Sequence, residues 1–148
     1  MRVAEAVTAF HSVFLDTAPL IYYLESNPVY GPRMAQFMEA REALGISLVT
    51  SPVTLAECLV HPMRLGLPDL QEGYLRLIVG GAGTRFQSLG KAEGLQAAHL
   101  RAQHGLKLTD ALQVAAAMSA GCDAILTNDT ALKRLDCIKV LFLDDLDL

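Results

Sequence analysis

Short apolar runs alternate along this chain with longer segments whose apolar residues recur every three or four positions. The runs are Val13-Phe14-Leu15, Ile46 to Thr50, Arg85 to Leu89, Ala124-Ile125-Leu126 and Val140 to Leu143, each of strand length. Between them the spacing predicts helices over about 18–25, with Leu20, Ile21 and Leu24 on one face, and 32–44, with Met34, Phe37, Met38 and Leu44 inward. Further helices are expected over 52–60, 69–79 and 91–104, and a short one over 130–135. The most conspicuous runs from Leu108 towards Gly121: it is rich in alanine, nearly uncharged and apolar on most of its surface, so it belongs inside the domain. Residues 1–11 show no such pattern and read as a loose arm.

The boundary residues agree. Pro19 suits a first helical turn, and Ser51-Pro52 pairs an N-cap residue with proline at the first position. Gly45, Gly105 and Gly121 stand where helices stop, and His61-Pro62 is expected to end another. The glycines at 80, 81 and 83 follow a helix rather than a strand, so they do not read as a phosphate loop. Strands alternating with helices imply one α/β domain over 1–148, with a mainly parallel sheet flanked by helices on both faces.

Composition narrows the classes. The stretch 111–126 is interrupted by Gln113, Ser119 and Asp123, too short for a membrane span, and no signal peptide is legible. Cys58, Cys122 and Cys137 form no CxxC pair and read as small core residues in a reducing compartment, the cytoplasm. A hydrophobic fraction of 52% and mean hydropathy of +0.33 call for a large core or a partner. The net charge of −4 argues against a broad nucleic-acid surface unless acids are tied up by a cation. Four acids so used would leave 12 against the 12 bases.

Four acids are candidates. In parallel sheets, functional residues collect beyond the carboxyl ends of the strands. Asp16 directly follows one predicted strand, and Asp129 lies three residues beyond Leu126. Asp110 falls in the first turn of the Ala-rich helix, and Glu57 in the second turn of the helix leaving strand 46–50. Asp16, Asp110 and Asp129 are each also explained as helix-start residues, worth under ~1 kcal/mol apiece. Glu57, among Leu55, Ala56, Cys58, Leu59 and Val60, reads as a buried carboxylate that needs a partner or a ligand. Together they have the make-up of a divalent-metal site.

The segments VFLDTAPLIYYLE (13–25), SPVTLAE (51–57), LKLTDALQVAAAM (106–118) and ILTND (125–129) resemble, in order, the signature blocks of the PIN-domain nucleases, closest to the VapC-type toxins of toxin–antitoxin pairs. The resemblance implies that Asp16, Glu57, Asp110 and Asp129 form an acidic quartet binding Mg²⁺ or Mn²⁺. Thr127 matches the hydroxyl residue accompanying the last acid, and Thr17 and Asn128 help shape the pocket. It implies hydrolysis of RNA to leave a 5′-phosphate, without an organic cofactor, by a homodimer held in check by an antitoxin. The region of Tyr22, Tyr23, Tyr30, Phe37 and Met38 would contribute to both interfaces. One departure is visible: many relatives carry an aromatic residue shortly after the fourth acid, where this chain has Leu132.

The substrate backbone also needs cations. Lys91, Arg101, Lys107, Lys133 and Arg134 flank the two late acids, and Arg101 and Lys107 lead into the Asp110 helix. His99 and His104 are tied to the acids by no motif. Rival readings have less support. A phosphatase using Asp16 as a covalent nucleophile would want a second acid where Ala18 stands, and a receiver domain would want an acidic pair that is missing. The nearer rival is a PIN-like binding module for RNA or protein, with little or no catalysis.

Overall fold

The structure, a computed structural model, describes residues 1–148. In chain order it contains α1 (Val3–Ala6), β1 (Ser12–Leu15), α2 (Thr17–Leu24), α3 (Gly31–Leu44) and β2 (Ser47–Thr50). There follow α4 (Pro52–Arg64), α5 (Pro68–Ile78), β3 (Thr84–Phe86), α6 (Lys91–His104), α7 (Leu108–Ser119), β4 (Ala124–Thr127) and β5 (Lys139–Phe142). The five strands are all parallel, in the order β3-β2-β1-β4-β5. The α/β expectation holds.

Alternation along each strand sorts the core into two layers. Val13, Leu15, Leu48, Ala124, Leu126 and Leu141 meet side chains from α1 to α5 on one face. Phe14, Val49 and Ile125 meet α6 and α7 on the other. Ala111 and Val114 through Ala117 of α7 are completely buried, as its composition requires.

Several expectations need correction. The supposed loose arm is docked: Val3 and Val7 are fully buried, the Val3 N–H donates to the Asp147 carbonyl (3.0 Å), and Asp147 returns a bond to Met1 (3.0 Å). Four helical residues leave too few positions for a periodic signal. Helix α4 does not stop at Pro62 but runs through it to Arg64. Pro62 is buried there, and its carbonyl accepts from the Leu67 N–H and the Gln71 amide, so packing and these bonds carry the helix past the proline. Strand β3 is shorter than expected, and residues after Asp129 form only a 3₁₀ turn, Thr130–Leu132. Met38 is half-buried and Leu44 exposed. Of the cysteines only Cys58 is buried; Cys122 is half-buried and Cys137 exposed.

The strand order also fixes where a crevice opens. Strands β1 and β4 are neighbours, but the chain leaves β1 towards β2 and leaves β4 towards β5. The connections diverge at that point, leaving a gap above the carboxyl ends of the two strands.

Candidate functional site

At that gap lies a cleft of about 260 Å³ lined by Asp16, Thr17, Tyr22, Glu57, Asp110 and Asp129, with Ala18, Ile21 and Asn128 completing the wall. The four acids singled out from the sequence, together with Thr17 and Asn128, therefore share one cavity. Larger clefts exist. The largest, about 600 Å³, is lined by Tyr23, Arg41, Glu42, Arg76 and Thr84 among others, and holds a single carboxylate beside two guanidinium groups. It lacks a concentration of acid.

Asp16 caps α2. Its Oδ1 accepts from the Thr17 N–H (2.9 Å) and its Oδ2 from the Thr127 hydroxyl (2.7 Å). Thr127 is completely buried beneath the cleft, and its oxygen in turn accepts the Asp129 N–H (3.0 Å). One hydroxyl thus ties the acid after β1 to the acid after β4. Asp129 itself caps the 3₁₀ turn, accepting from the Ala131 N–H (2.9 Å).

Glu57 corrects the sequence argument. It is exposed, not buried among its apolar neighbours, because it lies on the face of α4 that looks into the cleft. Its Oε1 accepts from the Thr17 hydroxyl (2.8 Å). Though exposed, Glu57 lines the same cleft as the other three acids.

The acids feel one another. Burial raises the proton affinity of Asp16, opposed by the Thr127 and Thr17 hydrogen bonds and assisted by the negative charge of Asp129. Burial also pushes the Asp110 carboxyl up to about 6, with Asp129 and Asp16 adding to the rise and Lys107 working against it. A cleft that holds protons this firmly has an excess of negative charge for a cation to neutralise. Its donors are hard carboxylate oxygens, the set that Mg²⁺ and Mn²⁺ prefer. No three of these groups already stand in a ready-made cage. The arrangement fits a cation that keeps several of its own waters, as Mg²⁺ does, rather than one stripped by the protein.

Behind the acids lies a support that the reading of the sequence missed. Gln113, one turn beyond Asp110 on α7, is buried and accepts from the Ser51 hydroxyl while its amide donates to Thr54 (2.7 Å). Ser51 and Thr54 are also buried, and the Ser51 hydroxyl caps α4 through Val53 N–H (3.1 Å). The helix bearing Asp110 is thereby fastened to the helix bearing Glu57. A glutamine inside an otherwise apolar helix was the available signal.

The expected cationic residues stand outside the cleft wall. Arg101 donates to the Leu106 carbonyl (3.2 Å), bracing the loop before α7, and Lys107 is the exposed residue that precedes α7. Arg134 donates to the His104 carbonyl (3.3 Å), and Lys133 pairs with Asp145 (3.0 Å).

Comparison with known proteins follows the same lines. A family model described as the PIN domain matches residues 13–137. No curated protein matches the chain by sequence. Among solved structures, VapBC2 from Rickettsia felis, bound to a promoter DNA fragment, is similar with a TM-score of 0.68 at 17% identity, covering 88% of this chain and 98% of that one. VapC20 from Mycobacterium tuberculosis gives 0.67 at 13% identity over 86% and 98%. FitAcB from Neisseria gonorrhoeae gives 0.63 at 19% over 90% and 99%. At such identities the likeness speaks for the fold.

Proposed function

The chain belongs to the PIN-domain family, and from that premise we propose that it is a metal-dependent endoribonuclease, the toxin of a toxin–antitoxin pair. The observation that carries this reading is the convergence of Asp16, Glu57, Asp110 and Asp129, from four separate segments, on one cleft. Burial, assisted by the negative charge of their neighbours, raises the proton affinity of Asp16 and Asp110. These four carboxylates would hold Mg²⁺ or Mn²⁺. When bound, such a cation neutralises charge on the attacked phosphate and acidifies water for attack on it.

The chain's own residues do the rest. Thr127 fixes the direction of Asp16 and, through the Asp129 backbone, the spacing of the two acids. Thr17 holds Glu57 against the opposite wall. Asn128 accepts from the Asp144 N–H (2.9 Å), which anchors the floor between Thr127 and Asp129. Arg101 and Lys107, beside the start of α7, would meet the RNA backbone outside the acidic centre.

VapC20 is a Sarcin-Ricin loop cleaving toxin, and VapBC-5 from Mycobacterium tuberculosis, also similar in structure, is a member of the VapBC family of toxin–antitoxin systems, which supports RNA as substrate and an antitoxin as partner. Val60, Met63, Leu65 and Leu67, exposed where α4 meets α5, support a homodimer. No helix is long and apolar enough to cross a membrane, in keeping with a cytoplasmic role.

The test is cleavage of structured RNAs by the purified chain with Mg²⁺, Mn²⁺ or EDTA, beside Asp110→Asn. Cleavage that requires the cation and is lost in the variant is the expected result. Cleavage that persists in the variant, or in EDTA, overturns the assignment.

A further inference from the structure

One wall of the cleft is aromatic, and nothing in the acidic chemistry requires it. Tyr22 of α2 lines the cleft beside Asp16 and Glu57. Its ring stacks on Tyr30, with centroids 4.8 Å apart and planes inclined by 27°. The Arg33 guanidinium lies over the Tyr30 ring, 5.4 Å from its centre. Arg33 and Tyr22 thus both pack on the Tyr30 ring, and Tyr22 carries the cluster to the acids.

The stack is held at fixed points. The Tyr30 N–H and the Val29 N–H both donate to Asn27 Oδ1 (2.9 Å each), which locks the turn before α3. At the other end of the ring, the Tyr30 hydroxyl donates to Asp144 Oδ1 (2.8 Å), and Asp144 is tied by its N–H to Asn128 on the cleft wall (2.9 Å). Arg33 faces the same Asp144 carboxylate at 3.7 Å. A stack needed only for packing would bury its rings, yet Tyr22 and Tyr30 are both half-exposed.

We propose that Tyr22, backed by Tyr30 and Arg33, is a stacking platform for one unpaired nucleobase of the RNA beside the phosphate that is cut. This rests on the nuclease reading above. Aromatic faces are how proteins grip unpaired bases, and the grip is tolerant of sequence because every base has a π-face. Arg33 and the Asp144 anchor hold Tyr30 in place, so little ordering accompanies the contact. The platform selects single-stranded over paired RNA at that position.

The experiment uses the full chain and short single-stranded RNAs carrying one abasic nucleotide stepped along the sequence, with Tyr22→Ala and Tyr22→Phe alongside. In the unaltered chain, one abasic position next to the cut raises KM about tenfold or more, with kcat less affected. Tyr22→Ala raises KM for intact RNA by a similar factor, and the abasic substitution then adds nothing further. Tyr22→Phe restores KM. A 2-aminopurine at the same position, read in EDTA, is quenched on binding to the unaltered chain and not to Tyr22→Ala. The two readings fail differently. RNA cut with no abasic penalty at any position overturns the platform and leaves the nuclease. RNA bound with quenching but never cut overturns the nuclease and leaves the platform. Should Tyr22→Ala fail to fold, the abasic series on the unaltered chain decides alone.

Discussion

Asp110 keeps its proton up to about pH 6 because it is partly buried and faces Asp129 and Asp16. Its ordinary value, retained when the chain unfolds, is 3.8. The folded chain therefore binds an extra proton between about pH 6 and pH 4. Without a divalent cation, the melting temperature should rise as pH falls through that window, and the penalty is fully present above it. Saturating Mg²⁺ should remove the dependence, because a cation replaces the proton. Calorimetric scans in EDTA and in Mg²⁺ at several pH values make the check; a melting temperature that falls from pH 6 to pH 5 in EDTA goes against it. If the chain is the nuclease proposed, RNA cleavage should run the other way, declining as pH drops through about 6 and protons compete with the cation. At the same scale, Thr127→Val leaves Asp16 Oδ2 and the Asp129 N–H without their shared partner. The cost should be about 1–3 kcal/mol in denaturant unfolding, while Thr127→Ser, which keeps the hydroxyl, costs less.

At the scale of the element, the outcome turns on what each helix holds at its ends. Ser51→Ala removes the cap of α4 and also leaves the Gln113 carbonyl without its donor. Loss of the cap alone costs about 0.5–2 kcal/mol, and the orphaned amide adds to it. If the tie between α4 and α7 positions Glu57 against Asp110, the same variant should lower kcat more than it raises KM. Elements with long periodic faces or an end signal were legible from the chain: α3, α6 and α7 lie within one or two residues of their expected spans. The failures have physical causes. Pro62 is a local stop signal overridden by burial and by two hydrogen bonds to its carbonyl, neither visible in sequence. The sequence places Glu57 on the helix α4, but which face of α4 it occupies depends on how α4 packs against α2. The stack of Tyr22 on Tyr30 joins α2 to the turn before α3, whose geometry no spacing rule encodes, so a direct contact between the rings could not be foreseen.

Over the whole molecule, the sheet separates two cores that answer to different parts of the chain. One end of the first core is closed by α1 and the residue that caps it, and Val3 and Val7 there are inaccessible to water. Burying one valine contributes about 1.5–3 kcal/mol, so removal of residues 1–9 should cost several kcal/mol and loosen the tail paired with it at Asp147. Denaturant unfolding of the shortened chain measures the loss; a change below about 1 kcal/mol would mean that α1 is only an ornament of the surface.

The placement of β4 beside β1 has a temporal consequence. The first carboxylate is made at position 16 and the last at position 129, and the strand that carries the last must insert next to the strand that carries the first. At roughly 5–20 residues per second of synthesis, several seconds separate their appearance. Throughout that interval α2 and α3 already exist in the growing chain while the cleft does not. The acidic cleft therefore closes only when the last strands are in place, after the segments that form α2 and α3 have long been made.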